Sequence, residues 1–532
     1  MSELQISIND FVQLREQNCV YVDKTAMIAQ LAKMPSKMIF MARPRRFGKT
    51  LLVSTFESLF ADGLKHFSGL EIEKLWDDQT YPVVRLDFSL IRNFENKESF
   101  VRNFQALLSA EFSKVGFVGD SDSPMFLGNL SQWLMSRPKS SIVLLIDEYD
   151  WALTNTIDDK EKFSTVRTCL ADFFSLLKGT RGVLRFFFMT GITKFQNTRF
   201  FSNFNNLQDI SLDPKYGTLL GYTEEELVDY FASHLDNACR VLGIDNRDEL
   251  IKQMREMYDG FCFDELAQTH VYVPWSVQSF LTSPERGFKN YWYETGGQPA
   301  LLMKFLKSNH LDNPQSYGNP IWMDLESYSI SQDYDVISPV ALLSQVGYLS
   351  IKEVSGGNVL LGYPNKEVSM SMARLYARNC FGDKIPGGTT DRLCSAMKLG
   401  NISEVLGLFN QTFAALDYKD YPIHNEAECR ALIQVYLLGA SLNPAIEVHN
   451  AWGRSDLEVH LADNVWVFEF KYVENTAQAQ KALQLAVHQI EKKRYGSQSL
   501  NKKLLRVAVV YSAEDRSIVL SKRIDDHVSE IV

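Results

Sequence analysis

The sequence predicts an α/β chain with two chemical centres, and three observations predict it. Strand-sized apolar runs alternate with helix-sized amphipathic stretches through the N-terminal part, the pattern of a parallel sheet flanked by helices. The run 38–42 passes without a break into Arg43-Pro44-Arg45-Arg46-Phe47-Gly48-Lys49-Thr50, after which residues 51–60 have the apolar spacing of a helix. Far downstream, Asp456 on one strand stands ahead of a Glu469-x-Lys471 pair on the next.

The chain has 532 residues, too many for one core, and its 45% apolar and 23% charged content is ordinary for a globular protein. A net charge of −10 and a pI near 5.5 argue against a generally basic nucleic-acid-coating protein, though not against a local basic groove. The opening MSELQISIND has no basic n-region and no apolar h-region. Runs such as 183–189 fall far short of the roughly 20 apolar residues that cross a bilayer. A cytoplasmic protein without membrane spans is therefore expected. Seven scattered cysteines without a C-x-x-C pair read as reduced thiols, with no zinc site and no disulfide framework.

In chain order, Tyr21-Val22-Asp23-Lys24-Thr25 reads as an extended piece leading to a helix capped near Asp23 or Thr25. The strand, loop and helix of residues 38–60 then form a phosphate cradle. Pro44, Arg45, Arg46, Phe47 and Gly48 form a tight loop whose backbone N–H groups, with a helix N-terminus, suit phosphates; Lys49 reaches the β/γ-phosphates and the Thr50 hydroxyl binds Mg²⁺. Arg43 stands where this loop usually has its first glycine. Residues 81–88 (YPVVRLDF) read as a second strand and 98–115 as a helix. Residues 141–146 (SIVLLI) form a strand ending in Asp147-Glu148, the Walker B arrangement, in which Asp147 holds the Mg²⁺ shell and Glu148 polarises the attacking water. A buried strand with an acidic turn is the plain alternative. The strand 182–189 ends at Thr190, which suits a sensor of the γ-phosphate as well as it suits a simple strand exit. Residues 207–212 are a candidate fifth strand.

The motifs YVDKT, RPRRFGKT, IVLLIDEYD, MTGITKF with FFSNFNNLQDISL, LLGYTEEEL, and YDGFCF with VYVPWSV occur in one order over essentially the whole chain. In this respect the sequence resembles the predicted AAA-type ATPases common in gut and anaerobic bacteria, which in turn resemble STAND-type ATPases. The resemblance implies ATP and Mg²⁺ as cofactors, and it makes RPRRFGKS/T a habitual form of the loop, so that Arg43 does not imply a dead site.

Beyond residue 221 the chain turns helical, with three glutamates opening the helix after Tyr222, as the macrodipole favours. The stretch reads as a lid, and Gly296-Gly297-Gln298-Pro299 resembles a nucleotide-facing lid element or is a plain helix start. Trp275 and the Tyr291-Trp292-Tyr293 cluster read as core aromatics. A helix at 337–346, strands around a Gly356-Gly357 turn and Pro364 suggest a winged-helix-like module, with a hinge expected at 377–390. The boundaries read as 1–220 for a P-loop AAA-type core in a doubly wound parallel sheet, 221–330 for the lid, 331–380 for the winged-helix-like module, and 381–532 for a third domain.

In that third domain, strand periodicity puts Glu469 and Lys471 on one face and Phe468 and Phe470 on the other. With Asp456 on the neighbouring strand, two carboxylates can bind Mg²⁺ beside a scissile phosphate while the lysine positions the attacking water and offsets charge. The arrangement resembles the PD-(D/E)XK nuclease pattern, with Ser455-Asp456 in place of Pro-Asp, and so implies a C-terminal α/β restriction-endonuclease-like domain. The resemblance also implies a helix glutamate completing the metal site, Glu426 first and Glu428 in reserve, and a trailing helix at 477–494 in which Gln489 supports the site or a phosphate. An amphipathic edge strand is the plain alternative. Arg454 contacts phosphate or caps the turn.

The combined expectation is an ATPase whose nucleotide state gates a Mg²⁺-dependent nuclease acting on DNA in preference to RNA, with room for a homo-oligomer formed through the ATPase domain. Two rivals keep the folds: a STAND-like switch whose nuclease-fold domain only binds nucleic acid or a protein, and a nuclease independent of ATP.

Overall fold

The computed structural model describes residues 3, 4, 6, 8–35, 38–194, 207–294, 302, 320–329, 338–381, 389–416, 422–440, 442, 444–450, 453–495 and 502–524. They belong to two compact units, one of Met1–Ser308 with Pro320–Ser369 and the other continuing from Met370. The 296–299 turn and the centre of the expected hinge, 382–388, lie outside the described residues.

The first unit is built on five strands, β1 (Met38–Ala42), β2 (Val83–Asp87), β3 (Ile142–Asp147), β4 (Leu184–Gly191) and β5 (Gln208–Asp209), in the order β2-β3-β4-β1-β5. Every pairing is parallel. β1 and β3 are buried on both faces, which is why MIFMA and IVLLI are continuous apolar runs without alternation. Ala42 pairs with Gly191, Ile146 with Met189, and Asp87 with Asp147, so the carboxyl ends of β1 to β4 share one edge of the sheet. Ligands of open α/β sheets bind at such an edge. The fifth strand is shorter than expected. The Ile210 N–H still donates to the Phe40 carbonyl (2.9 Å), but Asp209 accepts from the Ser211 N–H (2.8 Å) and the Ser211 hydroxyl accepts from the Ala42 N–H (2.9 Å), so side chains replace the ladder beyond residue 210.

The exits of β3 and β4 are locked together. Tyr149 donates its hydroxyl to the Thr193 carbonyl (2.8 Å), and Asp150 accepts from the N–H groups of Ile192 (3.1 Å) and Thr193 (2.8 Å) and from the Thr193 hydroxyl (2.6 Å). This lock forces Gly191. A Cβ there would lie 2.5 Å from the Asp150 carboxylate and 2.6 Å from the Tyr149 ring.

The same unit carries a three-stranded antiparallel sheet of β6 (Ile321–Asp324), β7 (Ser350–Ser355) and β8 (Asn358–Gly362), in the order β6-β8-β7, with the helix Pro339–Gln345 before β7. Gly356 and Gly357 have φ of 57° and 81° and form the two-residue turn between Ser355 and its partner Asn358, a conformation glycine adopts without strain. β6 falls within the stretch expected to be helical lid. Its four residues alternate between half-buried and exposed, too short and too wet a segment to stand out in sequence.

The second unit has a mixed sheet of β9 (Pro444–Asn450), β10 (Gly453–His460), β11 (Asn464–Val473), β12 (Lys503–Ser512) and β13 (Ser517–Ile524), in the order β13-β12-β11-β10-β9. Only β11 and β12 run parallel among these pairs. Trp466, Phe468 and Phe470 pack on one face against Phe409 and Tyr436 of the helices Ile402–Ala415 and Glu426–Gly439. Val465 and Val467 meet Ala482, Ala486 and Ile490 of the helix Ala479–Lys493 on the other. β13, unforeseen in sequence, is an edge strand whose Ser521, Lys522 and Arg523 are exposed, so it lacks the apolar signature of its neighbours. Among the described residues, no helix is long and apolar enough to cross a membrane.

Gly191→Ala should lower the unfolding midpoint of the first unit by an amount equivalent to about 1–3 kcal/mol, read by thermal denaturation, because the inserted methyl must displace the Asp150 and Tyr149 lock.

Candidate functional site

Gly48, at φ 90°, caps the helix Lys49–Asp62, and the loop before it opens into a cavity of about 650 Å³. Arg45, Arg46, Phe47, Gly48, Lys49 and Thr50 line this cavity, and so does Glu148. Lys49 is buried, and its Nζ donates to the carbonyls of Arg43 and Pro44 (3.1 Å each); burial lowers its pKa. The Thr50 hydroxyl is hydrogen-bonded to Asp147, whose carboxyl burial pushes up. Glu148 sits at φ 49°, a conformation a non-glycine residue adopts only when its neighbours enforce it, and here the Tyr149 and Asp150 lock does so. Burial raises its pKa as well. A left-handed glycine at a helix N-terminus, a lysine, and a hydroxyl already joined to a carboxylate form a donor set that suits a magnesium-bound polyphosphate.

Three sequence candidates are not on the cavity wall: Asp147, which is joined to it through the Thr50 hydroxyl, Thr190 and Pro44. Thr190 is fully buried and donates its hydroxyl to the Met41 carbonyl (2.8 Å), tying β4 to β1. Pro44 packs against Gly347, where a Cβ would come within 2.8 Å of its ring. Trp292 is a core aromatic, as expected, and its indole N–H donates to the Arg45 carbonyl (3.3 Å). Trp275, expected in the core, is half-buried on the cavity wall with the Arg46 guanidinium 4.0 Å above its ring.

Arg43 has a role that its sequence neighbours do not announce. It is 1% exposed, and its guanidinium donates to the carbonyls of Ala42 (3.0 Å), Ser211 (2.6 Å) and Tyr216 (3.2 Å) while lying 4.3 Å from the Phe263 ring centre. Burial lowers its pKa to about 10, still charged at neutral pH. The residue replacing the customary glycine therefore braces the loop. No local pattern could have found this, because two of its three acceptors lie 168 and 173 residues away.

In the second unit, Leu457 pairs with Phe468, which sets Asp456 opposite Glu469 across the β10–β11 hairpin. Lys471 Nζ donates to Glu469 Oε1 (3.1 Å), Glu426 Oε2 (3.2 Å) and the Phe470 carbonyl (3.0 Å). The four residues Asp456, Glu469, Lys471 and Glu426 thus come together. Glu428 does not join them: it accepts from the His424 N–H and from Asn425 Nδ2 (3.1 Å), and is spent closing the helix start. Gln489 donates to the Tyr495 hydroxyl (3.2 Å). Sequence reasoning missed Arg430, one helical turn after Glu426, whose Nη1 lies 3.9 Å from Asp456 Oδ1; an i, i+4 spacing was the available signal.

The electrostatics are those of crowded carboxylates. Burial, then the charge of Asp456, pushes the Glu469 carboxyl up to about 7. Burial works against the Lys471 ammonium, but Glu469 and Glu426 outweigh it and raise its pKa. Glu469 Oε2 is buried with no hydrogen-bond partner, and Glu469 is 0% exposed. An orphaned carboxylate oxygen beside a second acid suits a hard divalent cation. Among the described residues, no three acidic, histidine or cysteine side chains stand arranged around a common cation point, and the charge shared by Glu426 and Glu469 is that of the Lys471 ammonium.

Comparison with known proteins agrees with both centres. Residues 5–201 match the family model described as predicted AAA-ATPase, and residues 424–520 match that of the PD-(D/E)XK nuclease superfamily. An AAA-ATPase-like domain and a PD-(D/E)XK nuclease-superfamily domain are therefore present in the chain. A protein of Azotobacter chroococcum mcd 1, described as the uncharacterized protein in the vnfD 5′ region, is 29% identical over 535 residues, covering 97% of this chain and 98% of its own. Among solved structures, a chain of Drosophila ORC bound to poly(dA/dT) DNA and Cdc6 aligns over 81% of this chain and 70% of its own at 12% identity, with a TM-score of 0.22, too low to carry an argument.

Arg43→Gly restores the usual loop glycine and should nevertheless weaken the protein: it strands buried carbonyls, and the unfolding midpoint should fall by the equivalent of roughly 2–5 kcal/mol in thermal denaturation. The raised pKa of Glu469 gives a stability contribution that is complete below its ordinary value of 4.5 and is lost as pH rises through about 7. The unfolding midpoint of the metal-free protein should decline across that window, the decline should be smaller in Glu469→Gln, with the raised Asp147 and Glu148 carboxyls supplying the remainder, and any protection by added Mg²⁺ should grow with pH, because a carboxylate must be ionised to hold a cation.

Proposed function

We propose that the chain binds and hydrolyses ATP in its first unit and that the nucleotide state controls Mg²⁺-dependent phosphodiester cleavage of DNA by the second. The observation that carries the nuclease part is the convergence of Asp456, Glu469, Lys471 and Glu426 around an orphaned, buried carboxylate oxygen.

In the first unit, Lys49 and the loop N–H groups hold the β/γ-phosphates, and Thr50 with Asp147 holds Mg²⁺, which supplies charge neutralisation when bound. Glu148, aimed into the cavity and with its pKa raised by burial, orients the attacking water and takes its proton. In the second unit, Asp456, Glu469 and Glu426 are the residues that would hold Mg²⁺, which would supply Lewis-acid charge beside the scissile phosphate when bound. Lys471, held by two carboxylates and a carbonyl, is fixed in place to position the nucleophilic water and to offset developing negative charge. Arg430 keeps a second positive charge beside Asp456.

A second reading is a nucleotide switch whose nuclease-fold unit binds nucleic acid or a protein without cutting. The Lys471 ammonium favours it, since that group already pairs with both Glu426 and Glu469 without a metal.

A panel of plasmid, linear duplex and single strands with Mg²⁺ or Mn²⁺, with and without ATP, separates the two readings; absence of cutting leaves the switch. Lys471→Ala should reduce cleavage by about 10²-fold or more while nucleotide affinity stays unchanged. Lys49→Ala should weaken ATP binding and remove the ATP response of cleavage. Equal cutting by wild type and Lys49→Ala at every ATP concentration would sink the control of one unit by the other.

A further inference from the structure

The loop holds three arginines, and their side chains have different fates. Arg43 is consumed by carbonyls inside the fold. Arg46 is exposed and stands over the Trp275 ring. Arg45 is half-buried on the wall of the phosphate cavity, and among the described residues its guanidinium has neither a carboxylate partner nor a hydrogen bond. Its guanidinium lies 5.9 Å from the centre of the Trp151 ring. Trp151 opens the short helix that follows Asp147-Glu148-Tyr149-Asp150 and lines the same cavity.

The backbone of Arg45 is held as firmly as its head is uncommitted. The Trp292 indole fixes its carbonyl from one side, and the adjoining Pro44 is wedged against Gly347. The guanidinium lies close enough to Lys49 and Glu148 for both to feel its charge. A cation on a fixed backbone, facing the lysine and the carboxylate between which a terminal phosphate would react, stands where negative charge develops.

We propose that Arg45 is a catalytic arginine supplied in cis, contacting the oxygens of the transferred phosphoryl group and performing from within the phosphate loop what a second protein's arginine performs in other phosphoryl-transfer systems. The inference rests on the ATP-hydrolysing reading. In that reaction a water oxygen bonds to the γ-phosphorus as the bond to the β–γ bridging oxygen breaks. That oxygen leaves with the electron pair on ADP, and the proton of the water passes to Glu148. Arg45 offsets the charge gathering on the equatorial oxygens and the bridging oxygen, so its contribution belongs to turnover and not to binding. Because Arg45, Lys49, Thr50, Asp147 and Glu148 all belong to the first unit, one chain holds the complete set.

The test uses the full chain, with phosphate release measured over a hundredfold range of protein concentration, about enough to expose any assembly step, and with affinity measured for a ribose-labelled fluorescent ATP. The expected result is that Arg45→Ala loses about a thousandfold or more in kcat with affinity within roughly threefold of wild type, and that Arg45→Lys recovers part of the loss. Added guanidinium ion should restore turnover to Arg45→Ala, which a structural defect would not permit. Wild-type specific activity should be independent of protein concentration. Turnover by Arg45→Ala within roughly threefold of wild type overturns the inference. So does recovery of activity on mixing Arg45→Ala with Lys49→Ala, which would show that the arginine arrives from another copy. A wild type that binds the fluorescent nucleotide without releasing phosphate removes the hydrolytic reading itself, and the inference with it.

Discussion

Burying a guanidinium costs least when acceptors meet its N–H groups, and carbonyls from three separate places converge on the two terminal nitrogens of Arg43, leaving its buried Nε–H without a partner among the described residues. One belongs to the end of β1, one lies just past β5, and one lies in the turn that leads out of the core. The loop that follows inherits its position from this brace. Lys49 donates to the Arg43 carbonyl itself, so the lysine of the phosphate cradle hangs directly on the residue that anchors the cradle. Where a glycine would make the loop adaptable, an arginine makes it fixed.

That rigidity explains how strained or uncommitted groups can persist nearby. Glu148 keeps a left-handed backbone because Tyr149 and Asp150, on its C-terminal side, are bound to the exit of β4. Arg45 keeps a head that is unpaired among the described residues on a backbone held by Trp292. The surrounding structure over-determines both positions, and the freedom left to their side chains points into one cavity.

The second unit achieves the opposite balance. Asp456 and Glu469 face each other across a hairpin, and burial keeps Glu469 from ionising as readily as an exposed acid. Lys471 and Arg430 answer with positive charge from the strand and from the glutamate helix. The cluster is close to neutral when Glu469 holds its proton, and it gains a negative charge as that proton leaves.

Much of this was legible in the sequence. The continuous apolar runs of β1 and β3 identified strands buried on both faces, Gly48-Lys49-Thr50 and Asp147-Glu148 pointed to the loop and strand end that meet at one cavity, and the two-residue period of Glu469 and Lys471 set them on one face opposite Phe468 and Phe470. These are local properties, determined by residues adjacent in the chain or two apart. The tertiary structure alone decided which candidates meet. It turned Thr190 into a tie between strands, spent Glu428 on a helix start while Glu426 reached Lys471, moved Trp275 to the cavity wall, and made Arg43 a buried brace. The reason is one of distance along the chain. A period or a motif is written in neighbouring residues, whereas the carbonyl that accepts from a buried guanidinium, or the acid that faces another acid, is chosen by strand order and register, which no short stretch of sequence contains.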